Sequence, residues 1–350
     1  MKSRKFVVAA LATTLTMGLA GCSGKSGGDA ENGGSDSVTV ALSNQENQSY
    51  LPLILADRLG LFKKQGLDVQ INNLKETSQV SNALIRGDAQ AAVGFYDHTL
   101  DLQAKGKQTQ SVIQLLQAPG MVAMARTGSG IKSPKDYRGK TLGVTGLGSS
   151  TSYLCQYLAV HNGVPVKQLH LAAVAAGPTF VGAFENKRVD AGVTTEPTIS
   201  TLRKKHLGEI TADMRTAAGT KAALGGPYPG TAMTVETSWA KSHKPTVQKL
   251  VNAMYSALQW IESHSAKQIT AKVPADFYRG TGKEQYVEAL ANEMGMYNPS
   301  GQMPTDGPQT VHRVLSAIDP GVKGHKIDLA KTYTDEYVQK AAQKMKDGEK

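Results

Sequence analysis

"IKSPKDYRGKTLGVTGLGSSTSYL", residues 131–154, opens the chain's second round of alternating strands and helices. Pro134–Tyr137 reads as a short helix and Thr141–Val144 as a strand. Residues 145–148 then form a Gly-rich turn. From about Ser150 to Asn162 the apolar spacing predicts a helix. Ser149, Ser150 or Thr151 suits its N-cap, where a side-chain oxygen accepts a backbone N–H. Gly146 and Gly148 let the backbone bend sharply and come close to a bound group. Amides at a helix start are a ready anion site. Gly148, Ser149, Ser150 and Thr151 are therefore candidate ligand contacts. "GLGSST" lacks the third glycine of GxGxxG and the Gly-Lys-Ser/Thr of a P-loop, so it is not a nucleotide loop.

The upstream half alternates in the same way. Val38–Leu42, Leu67–Ile71, Ala91–Phe95 and Ser111–Gln117 read as strands. Between them, Leu51, Leu55 and Leu59 line one helix face, and Gln79–Ile85 and Thr99–Ala104 are shorter helices. Pro52 sits in a first turn, where its missing N–H is harmless. Downstream of 154, strands at Leu169–Val174 and Ala191–Thr194 alternate with helices at Thr179–Asn186 and Thr198–Lys205. This order implies two α/β units, each a mostly parallel sheet flanked by helices. Two stretches interrupt it. Ala118-Pro119-Gly120 precedes Met121–Arg126, a strand that could cross between the units. "AAGTKAALGGPYPG" (217–230) precedes a returning strand at Ala232–Val235. Beyond it the chain reads as mainly helical, at Pro245–His264, Lys283–Met296 and Asp328–Met345.

"RGDAQAAVGFYDH" (86–98) and "KRVDAGVTTEP" (187–197) echo each other. Both run basic residue, Asp, Ala, apolar strand, polar residues. Ligands of open α/β sheets sit beyond the carboxyl ends of strands. The echo makes Tyr96, Asp97 and His98 candidates in the first unit, and Thr195 and Glu196 in the second. Asn44, Gln45 and Gln48 follow the first strand, with Tyr50 as an aromatic wall. Tyr228 offers another ring. Asp97 suits a helix cap as well as a ligand contact. Glu196 would repel a simple anion, so it points either to an amine-bearing ligand or to a structural role.

The chain opens with Lys2, Arg4 and Lys5, an apolar run from Phe6 to Leu19, then Leu19-Ala20-Gly21-Cys22. This is the layout of a secretory signal, and the run is too short for a membrane span of about 20 apolar residues. Residues 23–37 hold almost nothing apolar and read as a flexible tether. The formal net charge is +10. The signal supplies three of these charges and the rest are spread along the chain without a basic block. A nucleic-acid partner is not expected behind a secretion signal. Beyond Cys22 only Cys155 remains, which excludes an internal disulfide and a Cys-rich zinc site in the folded body. No HExxH is present, and no His/Asp/Glu set has metal-ligand spacing, so no metal or cofactor is expected. The GxSxG match at 24–28 lies in the tether and cannot form a nucleophile elbow.

Taken in order, "LPLILADRLGLFKKQGLDVQI" (51–71), "VSNALIRGDAQAAVGF" (80–95), residues 131–154 and "VDAGVTTEP" (189–197) resemble the substrate-binding proteins of ABC importers. The resemblance is to their sulfonate-binding and thiamine-precursor-binding group, and it covers roughly residues 38–235. It implies a two-lobe, periplasmic-binding-protein-like clam with the ligand in the cleft. Lobe 1 would be 38–120 plus 227–350, and lobe 2 would be 121–226. Hinges would lie near Pro119–Gly120 and Gly226–Gly230, and closure on a ligand would shift the population of forms. Leu-Ala-Gly-Cys resembles the lipobox of bacterial lipoproteins. It implies removal of residues 1–21, lipidation of Cys22, and an extracytoplasmic monomer anchored to the cell membrane by residues 22–37. An ABC permease and its ATPase are the implied partners. The expected ligand is a small organic anion, such as a sulfonate, a taurine-like compound or a carboxylate. A thiamine-type pyrimidine is the alternative. The pyrimidine synthases that share this fold carry a Cys-rich motif that this chain lacks, so a binder rather than an enzyme is expected.

Overall fold

The computed structural model describes residues 36–348. The expected signal segment and lipidated Cys22 lie outside the described residues, as does the tether up to residue 35. Among the described residues, ten strands form two sheets. The first contains β1 (Asp36–Ser43), β2 (Leu67–Leu74), β3 (Ala91–Phe95) and β4 (Thr109–Gln114). The second contains β5 (Met121–Arg126), β6 (Thr141–Val144), β7 (His170–Ala173), β8 (Ala191–Thr195) and β9 (Gly208–Met214). The last strand, β10 (Thr231–Glu236), returns to the first sheet. The strand orders are β2-β1-β3-β10-β4 and β7-β6-β8-β5-β9.

These two orders are one topology used twice. In each, a central strand pairs in parallel with two neighbours: β1 with β2 and β3, and β6 with β7 and β8. In each, a strand arriving from the other sheet inserts antiparallel, β10 beside β3 and β5 beside β8. The chain therefore crosses between lobes twice, around residues 115–120 and 215–230, where the sequence breaks its alternation. The echoed segments are β3 and β8, the equivalent strands of the two sheets. Beyond their carboxyl ends lie Asp97, two residues after β3, and Glu196, directly after β8.

Two glycines are fixed by geometry. A Cβ on Gly192 would lie 2.4 Å from the Gly143 carbonyl oxygen, so β6 and β8 approach closely only because that side chain is absent. Gly192→Ala is expected to lower the unfolding free energy by about 1–3 kcal/mol, the usual range for overpacking. Urea denaturation measures this, and an unchanged midpoint would deny the close approach. Gly120, in the first crossover, has φ +65° and leaves room for the Met296 sulfur, which would stand 2.5 Å from a Cβ. A side chain there would be both strained and overpacked.

The long helix Lys244–Glu262 buries Leu250, Met254, Leu258 and Ile261 as a stripe, as its spacing predicts. It packs on the first sheet with Val40, Val93 and Met233. Elements absent from the sequence reading include β9, the helix Ala217–Leu224 and the helix Gly307–Ile318. The last contributes Val311, Val314 and Leu315 to a core shared with Leu100 of the first lobe and Leu154 and Leu158 of the second. On another face, the helix Lys283–Glu293 sends the Gln285 amide to the Thr201 hydroxyl of the second lobe at 3.0 Å. The tail thus touches both lobes. Its final helix starts at Glu336, not Asp328; Asp328 instead caps the short turn Leu329–Lys331.

Candidate ligand site

The lobes meet where β1, β3, β6 and β8 end. There, a cavity of about 40 Å³ lies between them. The helix Ser150–His161 starts at its wall. The Ser149 hydroxyl accepts from the Ser152 amide at 3.3 Å and donates to the Gly146 carbonyl at 2.7 Å. Its one proton is thereby used, so Thr151 donates in the 2.7 Å contact between the two hydroxyls. Thr151 in turn accepts from the Thr145 amide and the Thr145 hydroxyl, both at 2.9 Å. The row of hydroxyls mostly holds its own turn together. Ser150 and Thr151, whose amides open the helix and so have no acceptor within it, both line the cavity.

Ser150 does something else. Its hydroxyl donates across the lobes to Asp97 Oδ1 at 2.8 Å. Asp97 is fully buried, and its Oδ2 accepts the Tyr228 hydroxyl at 2.7 Å. His98 Nε2 stands 3.3 Å from Ser150 Oγ and 3.7 Å from Asp97 Oδ1. The carboxylate therefore sits where the first lobe, the second lobe and the second crossover come together. Burial pushes the Tyr50 phenol above its ordinary range, and the negative charge of Asp97 adds to this.

The proposed contacts separate by position. Asn44, Tyr50, His98, Ser149, Ser150, Thr151 and Thr195 line the cavity. Asp97 and Tyr228 lie directly behind it. Glu196 lines a larger groove of about 580 Å³ at the mouth. Both its carboxylate oxygens accept from Ser200, the backbone amide and the hydroxyl, each at 2.9 Å. Arg215 stands 3.7 Å away. Burial raises the Glu196 carboxyl above its usual range, against the pull of those bonds and of Arg215.

Four residues are not brought to the cavity. Gln48 is buried and its amide donates to the Tyr286 carbonyl at 3.1 Å, so it faces the tail. Tyr96 is a core ring whose hydroxyl pairs with Thr332. Gln45 stands beside β2, its backbone amide bonded to Asn73. Gly148 is exposed on the turn. Conversely, Asn47, Phe95, Met121 and Thr145 line the cavity without having been singled out. Asn47 caps the turn Gln48–Tyr50 and its amide reaches the Thr195 hydroxyl across the lobes at 3.3 Å. It lies within "SNQENQSY", where its neighbours were chosen instead. Met121 is the first residue of the crossing strand, a position that only the topology reveals.

Other reactive groups lie elsewhere. Cys155 is buried in the helix 150–161, and burial pushes its thiol up to about 12, so it is an inert core residue. Trp239 stacks on His243 and Trp260 on His264, each pair at the end of a helix and neither at the cavity. No cluster of three or more His, Cys, Asp or Glu suited to a metal occurs among the described residues.

Residues 47–267, more than half of the chain, match the family described as NMT1/THI5 like. The chain belongs to the NMT1/THI5-like family. The match spans both crossovers, most of the cavity wall and the long helix. Among relatives, YtlA of Bacillus subtilis, provisionally named a binding protein, is 27% identical over 65% of this chain and 67% of its own length. The 4-amino-5-hydroxymethyl-2-methylpyrimidine phosphate synthase THI11 of Saccharomyces cerevisiae is 29% identical, over 46% of each chain. A solved structure from Bordetella bronchiseptica superposes with a TM-score of 0.83 at 31% identity, covering 89% of this chain and 98% of that one. The alkanesulfonate-binding protein SsuA of Xanthomonas axonopodis, bound to MOPS, gives 0.67 at 16% identity, over 85% and 98%. This member of the NMT1/THI5-like family thus has the two-lobe fold of the periplasmic solute-binding proteins.

Proposed function

We propose that this chain is the solute-binding component of an ABC importer and that its solute is a flat, hydrogen-bonding heterocycle of the aminopyrimidine class. One observation carries the choice of solute. Among the described residues, the cavity is lined by hydroxyls, amides, Tyr50, Phe95, Met121 and His98, and by no lysine or arginine. The charge immediately behind it is the carboxylate of Asp97. A strong anion taken from water needs a compensating charge, whereas an amino group or ring nitrogen is served by a carboxylate and neutral polar groups. Tyr50 and Phe95 supply flat apolar surface for a ring. The pyrimidine named in the yeast relative agrees in class. An anchor at Cys22, an extracytoplasmic location, a monomeric state and delivery to a permease complete the proposal.

The alkyl- or arylsulfonate reading retains one observation in its favour, the two helix amides of Ser150 and Thr151 at the cavity. Isothermal calorimetry against matched panels of aminopyrimidines and sulfonates separates the two. Heat from an aminopyrimidine and none from sulfonates is expected. The reverse pattern would assign the site to anions. Calorimetry is the suitable probe because neither tryptophan lies at the cavity.

A further inference from the structure

We propose that Asp97 and Ser150 form a latch between the lobes, and that the solute competes with Ser150 for the Asp97 carboxylate. This rests on the solute-binding reading above and adds how the site is regulated. Two sets of side-chain hydrogen bonds join the lobes at the cavity: those of Ser150, to Asp97 at 2.8 Å and with His98 Nε2 at 3.3 Å, and that of Asn47 to Thr195 at 3.3 Å. They differ in kind. The first ends on a fully buried carboxylate and is charge-assisted; the second joins neutral groups at a longer distance. Hydrogen bonds to charged groups are the stronger class, so the first dominates the contact.

The competition follows from the accounting of Asp97. Oδ2 is held by Tyr228, from the second crossover, and Oδ1 by Ser150, with His98 Nε2 at 3.7 Å from the same oxygen. The cavity of about 40 Å³ has room for little more than a water-sized body. A ring therefore enters only if the lobes separate at this point. Once they do, the oxygen released by Ser150 is the strongest acceptor exposed to the entering solute. An amino group of the solute then replaces the serine hydroxyl on Oδ1, and the carboxylate is satisfied before and after the exchange.

A latch that is lost on binding leaves a thermodynamic signature that a direct contact does not. Ser150→Ala removes a bond present in the solute-free protein and absent from the complex. It raises the free energy of the former alone, so the variant binds solute more tightly. Alanine is the best helix former, and the substitution sits in the first turn of a helix, so folding is retained.

Small-angle scattering on the solute-free protein tests the latch without any ligand. Ser150→Ala should shift the closed-to-open ratio toward open by roughly tenfold or more, and Thr195→Ala by clearly less. A Ser150→Ala curve identical to that of the parent, or a larger shift in Thr195→Ala, would overturn the latch. Calorimetry with an aminopyrimidine then tests the exchange: Ser150→Ala should bind up to about tenfold more tightly. Weaker binding would mean that Ser150 touches the solute and would overturn the exchange. If no panel member bound either protein, the solute-binding reading would fail, while scattering would still decide the latch.

Discussion

Asp97→Ala reduces affinity for the solute by roughly tenfold or more. The substitution removes the carboxylate behind the cavity, so the solute's amino group enters the complex without its acceptor; the Tyr228 hydroxyl, fully buried, loses its partner in free and bound protein alike and lowers stability rather than affinity. A buried donor left without a partner in the complex alone costs about 1–3 kcal/mol. Each 1.4 kcal/mol is about tenfold in affinity. Asp97→Asn keeps the shape and one acceptor but not the charge, so an intermediate loss is expected. Calorimetry gives both constants, and circular dichroism checks that the variants are folded. Parental affinity in Asp97→Ala would remove the carboxylate from the account. The same substitution at Glu196 should do little to affinity, because that side chain is engaged with Ser200 rather than with the cavity.

Glu293→Gln raises stability, and increasingly so as the pH rises. Glu293 is buried in the tail helix beside the first crossover, and its Oε1 has no hydrogen-bond partner. A Cβ on Gly120 would stand 3.9 Å from that oxygen. Burial drives the carboxyl well above its ordinary value of 4.5; the charge of Glu196 adds to this, Arg215 opposes it, and Asp213 adds again. The folded protein therefore holds this proton at pH values where the unfolded chain has released it. Its contribution to stability is intact below about pH 4.5 and is lost progressively as the pH rises toward the raised folded value. A neutral glutamine carries no such dependence. The gain near neutral pH should be about 1–3 kcal/mol, the cost of an unsatisfied buried polar group. Thermal unfolding of parent and variant between pH 4 and 9 measures it. Parallel curves would show that Glu293 does not hold its proton on folding.

The two-sheet architecture was legible because its signals are local. Apolar runs such as Ala91–Phe95 and Ala191–Thr195, punctuated by Gly87 and by Gly60, mark strands and helix ends directly. The repeat of Asp-Ala-strand-polar in 86–98 and 187–197 reflects a real equivalence between β3 and β8. Strand β9 was missed because "GEITADM" mixes charged and apolar residues, as befits an edge strand with mostly half-buried side chains. The helix Gly307–Ile318 was legible in principle: Val311, Val314, Leu315 and Ile318 keep helical spacing after Pro308.

The site was only half readable, for a physical reason. Which residues stand at the carboxyl end of a strand is a local property, and Asp97, His98, Ser149, Ser150, Thr151 and Thr195 follow from it. Which way a side chain turns is decided by partners distant in sequence. Gln48 turns to Tyr286, Tyr96 to Thr332 and Ser150 to Asp97. Nothing within "SNQENQSY" distinguishes Asn47, which reaches the second lobe, from Gln48, which reaches the tail.

A crystal structure of the protein grown with a saturating aminopyrimidine tests the central claim most directly. The account predicts a ring between the ends of β3 and β8, its amino group within hydrogen-bonding distance of Asp97 and the Ser150 hydroxyl turned away. A ring bound anywhere outside this junction, or one seated there with Ser150 still bonded to Asp97, would contradict it.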